Sequence, residues 1–277
     1  ETGLGEIFYI DSNQLNSDGT VKIIENAICL HEEDFGIQWK HSNTFGEGFS
    51  EARRSRRLVI SSFSTVGNYD YGVFWYLYLD GTIQFEMKLT GIVGVSAFNE
   101  KVHNDAQDMR LTEEIVSPIH QHLFNVRLDW FLDGGENQLF EINVKPVSND
   151  FENSSELQFQ AISKHLKNEN EAKRNIDPST SRTWKIVNGK VKNKIGNPTA
   201  YKILPGNSPT LMSGPKSIVG KRASFAKHNL WATPYEAKEM YAAGTHTVMH
   251  GGEGGLSELT SNCLLYTSPS PRDDSQS

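Results

Sequence analysis

Two histidines separated by one residue, His120 and His122, are the first candidates for chemistry in this sequence. Side chains at positions i and i+2 of a β-strand project from the same face, so both imidazoles could reach one metal ion. Imidazole binds copper, zinc and iron alike, so the pair does not choose among these metals. A metal site also needs a third ligand, and the neighbouring sequence offers no obvious one. A chance pair of surface or hydrogen-bonded histidines is the alternative.

The tetrapeptide Asn68-Tyr69-Asp70-Tyr71 is the second candidate. Taken alone, it is typical of a polar turn with two tyrosines that leads into a strand. Its surroundings favour a functional interpretation, because the tetrapeptide runs directly into an aromatic segment at residues 74–76 and the histidine pair follows downstream.

A β-hairpin must position the tyrosines. The segments 73–79 and 82–88 are rich in aromatic and β-branched residues and are joined by Asp80-Gly81, which is the strongest short-range signal of a hairpin. The second segment alternates apolar and polar residues with a period of two, which predicts a core face and a solvent face. We expect the core face to carry Ile83, Phe85 and Met87, and the solvent face to carry Gln84, Glu86 and Lys88.

The same pattern recurs after the histidine pair. Residues 123–132 are predicted to form a strand, residues 133–137 a turn, and residues 138–145 the returning strand. Further short strands, separated by Gly, Pro and Asn, are expected over residues 183–235. This pattern predicts an all-β fold, specifically a large β-sandwich.

Composition limits the class of protein. The chain has 277 residues, of which 37% are hydrophobic and 22% charged, as expected for a globular protein with a sizeable core. The sequence contains no apolar run of the roughly 20 residues that span a bilayer. A net charge of −7 does not favour nucleic acid as a partner. Two cysteines make no disulfide framework, and Cys29 is expected to be a small buried residue.

Several segments together resemble the copper-containing amine oxidases. They include NAICLHEEDFGIQWKH at 26–41, GNYDYGVFWYLYLDGTIQFEMKLTGIV at 67–93, HQHLFNVRLD at 120–129 and HNLWATPYEAKEMYAAG at 228–244, in the order of the family. The resemblance implies that residues 1–260 are part of the catalytic domain, incomplete as a β-sandwich. Residues 261–277 are Ser- and Pro-rich and are expected to be a disordered tail. The resemblance also favours a strand within residues 156–174, whose composition would equally suit a helix.

The resemblance implies a specific chemistry. Tyr69 would be the precursor of topaquinone, with Asn68 and Asp70 flanking and orienting the quinone ring. His120 and His122 would be two of three copper ligands. The activity implied is oxidative deamination of primary amines to aldehyde, ammonia and hydrogen peroxide, with dioxygen as acceptor. A quinone acts here as an electron sink that no ordinary side chain provides.

This sequence also departs from the family pattern. In the family, the third copper histidine follows the YAAG segment, and His246 and His250 match a segment that does not bind the metal. The proton-abstracting aspartate lies upstream, so Asp11 is not assigned that role. A peripheral calcium site of the family would use Asp129, but Phe131 stands where a second acidic ligand is common and cannot bind the ion. We therefore expect this chain to be a fragment that is inactive by itself.

Four other interpretations differ in class. A non-enzymatic β-sandwich binding module would use the histidine pair structurally, and a catalytically dead relative of the family is the second. A zinc hydrolase would need a nearby acidic base and a third ligand at short spacing. The basic run at 53–57 could bind nucleic acid, but a structural strand is favoured.

By resemblance, the parent protein is expected to be a homodimer in peroxisomes, the periplasm or the extracellular space. The lack of a long apolar run predicts no membrane contact.

Overall fold

Antiparallel strands form most of the regular structure of the chain. The computed structural model describes residues 4–46, 48–103, 108–135, 137–147, 158–206, 208–248 and 250–260. The chain folds as two units, Glu1–His120 and Gln121–Ser277. Within the described residues, no helix has the length and apolar character needed to cross a membrane. The predicted tail, residues 261–277, and residues 148–157 lie outside the described residues.

The first unit is built on a five-stranded sheet in which every strand pairs with its neighbour in sequence. All four pairings are antiparallel, and the strands are β1 (Leu4–Leu15), β2 (Val21–Asn43), β3 (Phe49–Val66), β4 (Tyr69–Tyr78) and β5 (Ile83–Gly91). The predicted hairpin is confirmed, because β4 and β5 are joined across Asp80-Gly81 with Leu77 opposite Ile83.

The orientation predicted for β5 is wrong. The most buried cluster of this unit is Val59, Phe74 and Tyr76, and Phe74 lies opposite Glu86 in the ladder. The polar residues of β5 therefore share the buried face, whereas Ile83 is 50% exposed. Polar contacts explain this arrangement, since the Tyr76 hydroxyl donates to Glu86 Oε2 at 2.6 Å and Lys88 Nζ lies 3.9 Å from the centre of the Phe74 ring.

A small three-stranded sheet completes the first unit and leads to the first histidine. Its strands are β6 (Ser96–Ala97), β7 (Asp108–Arg110) and β8 (Ile115–Pro118), with β8 in the middle. Val116 and Ser117 of β8 are buried. This buried strand ends two residues before His120 and so fixes the direction in which the chain reaches it.

The second unit contains a four-stranded antiparallel sheet in the order β10-β9-β11-β12. The strands are β9 (Asn137–Pro146), β10 (Phe159–Leu166), β11 (Thr183–Lys192) and β12 (Pro198–Ile203). The only helices among the described residues are short: α1 (Ile218–Arg222), α2 (Leu256–Leu259) and the 3₁₀ turns Pro178–Thr180 and Ser224–Lys227. β9 and β10 confirm two of the predicted strands, but the strands predicted over 183–235 end at Ile203.

The strand predicted over residues 123–132 is wrong, since residues 119–131 form neither strand nor helix. Side chains replace the missing ladder. Asn137 Nδ2 donates to the carbonyl oxygen of Trp130 at 3.2 Å, and Asn188 Nδ2 donates to that of Leu132 at 2.8 Å. These bonds satisfy backbone acceptors that a neighbouring strand would otherwise have to satisfy.

A buried carboxylate organises the core of the second unit. Glu141 of β9 is 2% exposed, next to Trp184, which is fully buried. Its two oxygens accept from Arg174 Nε and Nη2 at 2.5 and 2.7 Å, and Arg182 Nε lies at 3.3 Å. Burial alone would raise the pKa of Glu141, but hydrogen bonds from Arg174 and Asn143 and the charges of both arginines lower it below its usual value.

We expect Glu141→Gln to lower the free energy of unfolding by about 3 kcal/mol at neutral pH, because it removes the buried negative charge that the half-buried guanidinium groups of Arg174 and Arg182 share. A lowered pKa in the folded protein stabilises it above the unfolded pKa of about 4.3 and less as pH falls. The difference between wild type and variant should therefore shrink below that pH. Urea unfolding followed by tryptophan fluorescence measures it, with the exposed Glu253→Gln as control. A difference independent of pH would contradict this account.

The basic run at 53–57 forms part of β3, as favoured from the sequence. Arg54 and Arg56 pair with acidic residues of β2 and are largely exposed. Arg57 differs, because its side chain is only 13% exposed and bonds to Glu33 Oε2 at 2.8 Å. Its guanidinium lies 4.2 Å from the ring centre of Phe35 and 3.7 Å from that of Tyr76.

We expect Arg57→Lys to destabilise the first unit by about 1–2 kcal/mol, because an ammonium cannot stack between two rings while holding a carboxylate. The matched control is Arg56→Lys, in an exposed pair 4.0 Å from Glu32, which should change stability by less than about 0.5 kcal/mol. Thermal unfolding of both variants provides the comparison, and equal losses would show that Arg57 acts only as a surface charge.

Candidate functional site

Tyr69 is positioned by a tight turn and by two neighbouring strands. It is the first residue of β4 and lies opposite Val66 of β3 and Gly91 of β5. The two residues between Val66 and Tyr69 form the turn, and Gly67 has the positive φ of 63° that two-residue hairpin turns favour. The Thr65 hydroxyl donates to Asp70 Oδ1 at 2.6 Å, which ties β3 to β4 beside the tyrosine.

The phenol of Tyr69 meets the imidazole of His120. Tyr69 Oη lies 3.1 Å from His120 Nε2, although 51 residues separate them in sequence. His120 Nδ1 is 2.8 Å from the carbonyl oxygen of Pro118, which can only accept a hydrogen bond. Nδ1 therefore carries the proton, and in the neutral ring Nε2 presents its lone pair to the phenol.

The end of β5 packs closely against the backbone of the tetrapeptide. Ile92 N donates to the carbonyl oxygen of Asn68 at 2.7 Å. A Cβ at Gly91 would lie 2.4 Å from the same oxygen and 2.8 Å from Tyr69 Cα. Glycine is required at this position, both for the space and for its φ of +110°. No motif in the sequence points to Gly91, although a glycine three residues beyond the strand predicted at 82–88 was a usable signal.

His122 belongs to the second unit and is half-buried. The residue before it, Gln121, is held by two bonds: Nε2 donates to the carbonyl oxygen of Thr210 at 3.1 Å, and Oε1 accepts from Met212 N at 3.1 Å. The histidine pair does not lie in a strand, so the strand geometry from which a shared face was inferred is absent. Gln121 was missed because a single glutamine carries no sequence signal.

The donor chemistry fits copper, as it fits zinc or iron, because His120 Nε2 is an imidazole nitrogen without a proton, directed at the phenol of Tyr69. Among the described residues, no three His, Cys, Asp or Glu side chains lie close enough together to hold a metal ion. His250 and Asp11, which the family resemblance did not assign to the site, bond to backbone N–H groups. His250 Nδ1 accepts from Gly252 N at 3.1 Å, and Asp11 Oδ1 accepts from Asn26 N at 2.8 Å. The roles predicted for Tyr69, Asn68, Asp70, His120 and His122 remain predictions.

The fold and the site define an all-β protein in which a phenol is held against an imidazole nitrogen. Comparison with known proteins gives its family. The family model of the copper amine oxidase enzyme domain matches residues 3–263. A histamine oxidase from Arthrobacter globiformis is 42% identical over 249 residues, which cover 90% of this chain and 36% of that protein. The chain therefore belongs to the copper amine oxidase family.

Two further similarities agree with this assignment. A peroxisomal copper-containing diamine oxidase from Nicotiana tabacum is 39% identical over 245 residues, 87% of this chain and 31% of that protein. The structure of a copper-containing benzylamine oxidase from Hansenula polymorpha matches with a TM-score of 0.87 and 28% identity, over 97% of this chain and 42% of that one. The predicted all-β, β-sandwich class is thereby confirmed. The chain spans about a third of the length of these curated relatives.

We expect Gly91→Ala to destabilise the first unit by about 3 kcal/mol, because the added methyl group collides with the backbone at Asn68 and Tyr69. The matched control is Gly36→Ala, where φ is also positive, at +81°, but a Cβ would meet nothing within 4 Å. The control should cost only the conformational strain, about 1 kcal/mol. Urea unfolding followed by circular dichroism measures both, and equal costs would refute the close packing at Gly91.

Proposed function

We propose that the protein to which this chain belongs oxidises primary amines to aldehydes, releasing ammonia and hydrogen peroxide, with dioxygen as electron acceptor. The observation that carries the proposal is the 3.1 Å contact between Tyr69 Oη and His120 Nε2 in a chain of the copper amine oxidase family. A tyrosine that is to be oxidised by a bound metal must lie beside a ligand of that metal, and this contact supports such a placement.

His120 and His122 would hold copper through imidazole nitrogens, and Tyr69 would become the quinone. Bound copper would supply one-electron chemistry with dioxygen, and the quinone would accept the electrons of the amine. The chain's own groups orient the reacting ring. Pro118 fixes the His120 tautomer, and Asp70 anchors the start of β4 through Thr65. The base that removes the α-proton is not assigned to any residue of this chain.

The substrate is proposed only as a class. The relatives compared above are named as oxidases of histamine, diamines and benzylamine, which share a primary amine. We further propose a homodimeric parent protein whose catalytic domain includes residues 1–260, with 261–277 outside it. The tobacco relative is named as peroxisomal, which makes peroxisomes one candidate location. The inactivity of the isolated chain also remains a proposal.

The first test is quinone formation in the full-length protein after copper is added in air. We expect Tyr69→Phe to abolish staining by a redox-cycling quinone reagent, because phenylalanine has no phenol to be oxidised. The matched control is Tyr71→Phe, two residues along the same strand, which should retain the stain. Peroxide release with a primary amine should follow the same pattern.

Two outcomes would contradict the proposal in different ways. A stain that survives Tyr69→Phe would show that another residue carries the quinone. A wild-type protein that binds copper stoichiometrically without staining would favour the non-enzymatic binding module or a catalytically dead relative. Running the isolated chain beside the full-length protein tests its proposed inactivity.

A further inference from the structure

We propose that the backbone N–H of Gly94 is a positioning group for Tyr69. It holds the phenolic oxygen and so keeps the aromatic ring in place for oxidation of the ring. The inference rests on the proposed function and assigns a new role within the same site. Gly94 N donates to Tyr69 Oη at 3.0 Å, from a segment that follows directly after β5. A backbone donor is held by the chain itself and loses no side-chain freedom when it binds.

Three residues of this segment hold the tyrosine or the peptide group before it. Gly91 lies opposite Tyr69 at the end of the β4–β5 ladder. Ile92 N holds the carbonyl oxygen of Asn68 at 2.7 Å, and Gly94 N holds the phenolic oxygen at 3.0 Å. The same short segment therefore fixes both ends of the tyrosine, its backbone and its hydroxyl.

The hydroxyl has one hydrogen to donate, and Gly94 determines its direction. Because the Gly94 N–H occupies an acceptor position on the oxygen, the phenolic hydrogen is left to bond with His120 Nε2. The imidazole nitrogen has a single lone pair, which a metal ion would take. The phenol would then lose its bond to His120 but keep its bond to Gly94. The Gly94 N–H can therefore hold the ring in both the metal-free and the metal-bound protein.

The backbone N–H is the group of residue 94 that matters for the proposal, because a side chain can be accommodated at this position. A Cβ at Gly94 would lie 3.4 Å from Tyr69 Oη, an ordinary contact distance. Alanine at this position keeps the donor, whereas proline removes it. The pair Gly94→Ala and Gly94→Pro therefore separates the loss of the hydrogen bond from the addition of atoms.

The first experiment uses no metal and no activity. Amide hydrogen exchange of the ¹⁵N-labelled chain is measured residue by residue in wild type, Tyr69→Phe and the control Tyr71→Phe. We expect the Gly94 amide to exchange about tenfold faster in Tyr69→Phe, because its acceptor is gone. The Ile92 amide is the internal control, since its acceptor is the backbone of Asn68, and should change by less than about twofold. An unchanged Gly94 amide, or equal acceleration at both amides, would overturn the proposal.

The second experiment follows quinone formation in the full-length protein loaded with copper, at matched copper content. We expect Gly94→Pro to form quinone at least about tenfold more slowly than Gly94→Ala, since a phenol without its positioning bond samples other orientations. Equal rates in the two variants would overturn the positioning role. A wild type that forms no quinone would instead overturn the proposed function, and the exchange experiment would still decide whether Gly94 holds Tyr69.

Discussion

The register of the β3–β4–β5 ladder is the constraint on which the rest of the site depends. Tyr69 faces His120 only because Val66 and Gly91 lie opposite it on the two neighbouring strands. Side chains alternate between the faces of a strand, so a slip of one residue would turn the phenol to the other side of the sheet. The turn at Gly67, the bond from Thr65 to Asp70 and the close approach of Gly91 all act against such a slip.

Each unit also contains a buried or half-buried charge pair that fixes the arrangement of its strands. Arg57 connects β3 to Glu33 of β2 and to the Tyr78 hydroxyl of β4, at 2.8 and 3.0 Å. Glu141 connects β9 to Arg174 and to the indole nitrogen of Trp184 in β11. Apolar contacts alone would allow several packings of similar energy, whereas a buried charge requires one set of partners. We regard specificity of packing, more than added stability, as the contribution of these pairs.

The sequence predicted those features that depend on local patterns. The β4–β5 hairpin was predictable because Asp80-Gly81 directly encodes a turn between two strand-like segments. The burial of Glu141 was not predictable, because acidic residues are usually exposed and its arginine partners lie more than 30 positions away in sequence. The strand predicted at 123–132 failed for a related reason. The amide of Asn188, which is 56 residues from Leu132, bonds to the Leu132 carbonyl in place of a ladder partner, and the nearer Asn137 does the same at Trp130. The pairing of Tyr69 with His120 followed from family resemblance, and the groups that orient both residues, Gly94 and Pro118, became visible only in three dimensions.

The order of the strands in the first unit has a consequence for how the protein folds. Each of the five strands pairs with the strand next to it in sequence, so the sheet can grow from local hairpins with little loop closure. The contact of Tyr69 with His120 closes a loop of 51 residues and is entropically more demanding. The strands around the tyrosine are therefore expected to assemble early, before the histidine reaches it. Tyr69 would then already have its place between β3 and β5 when the histidine arrives.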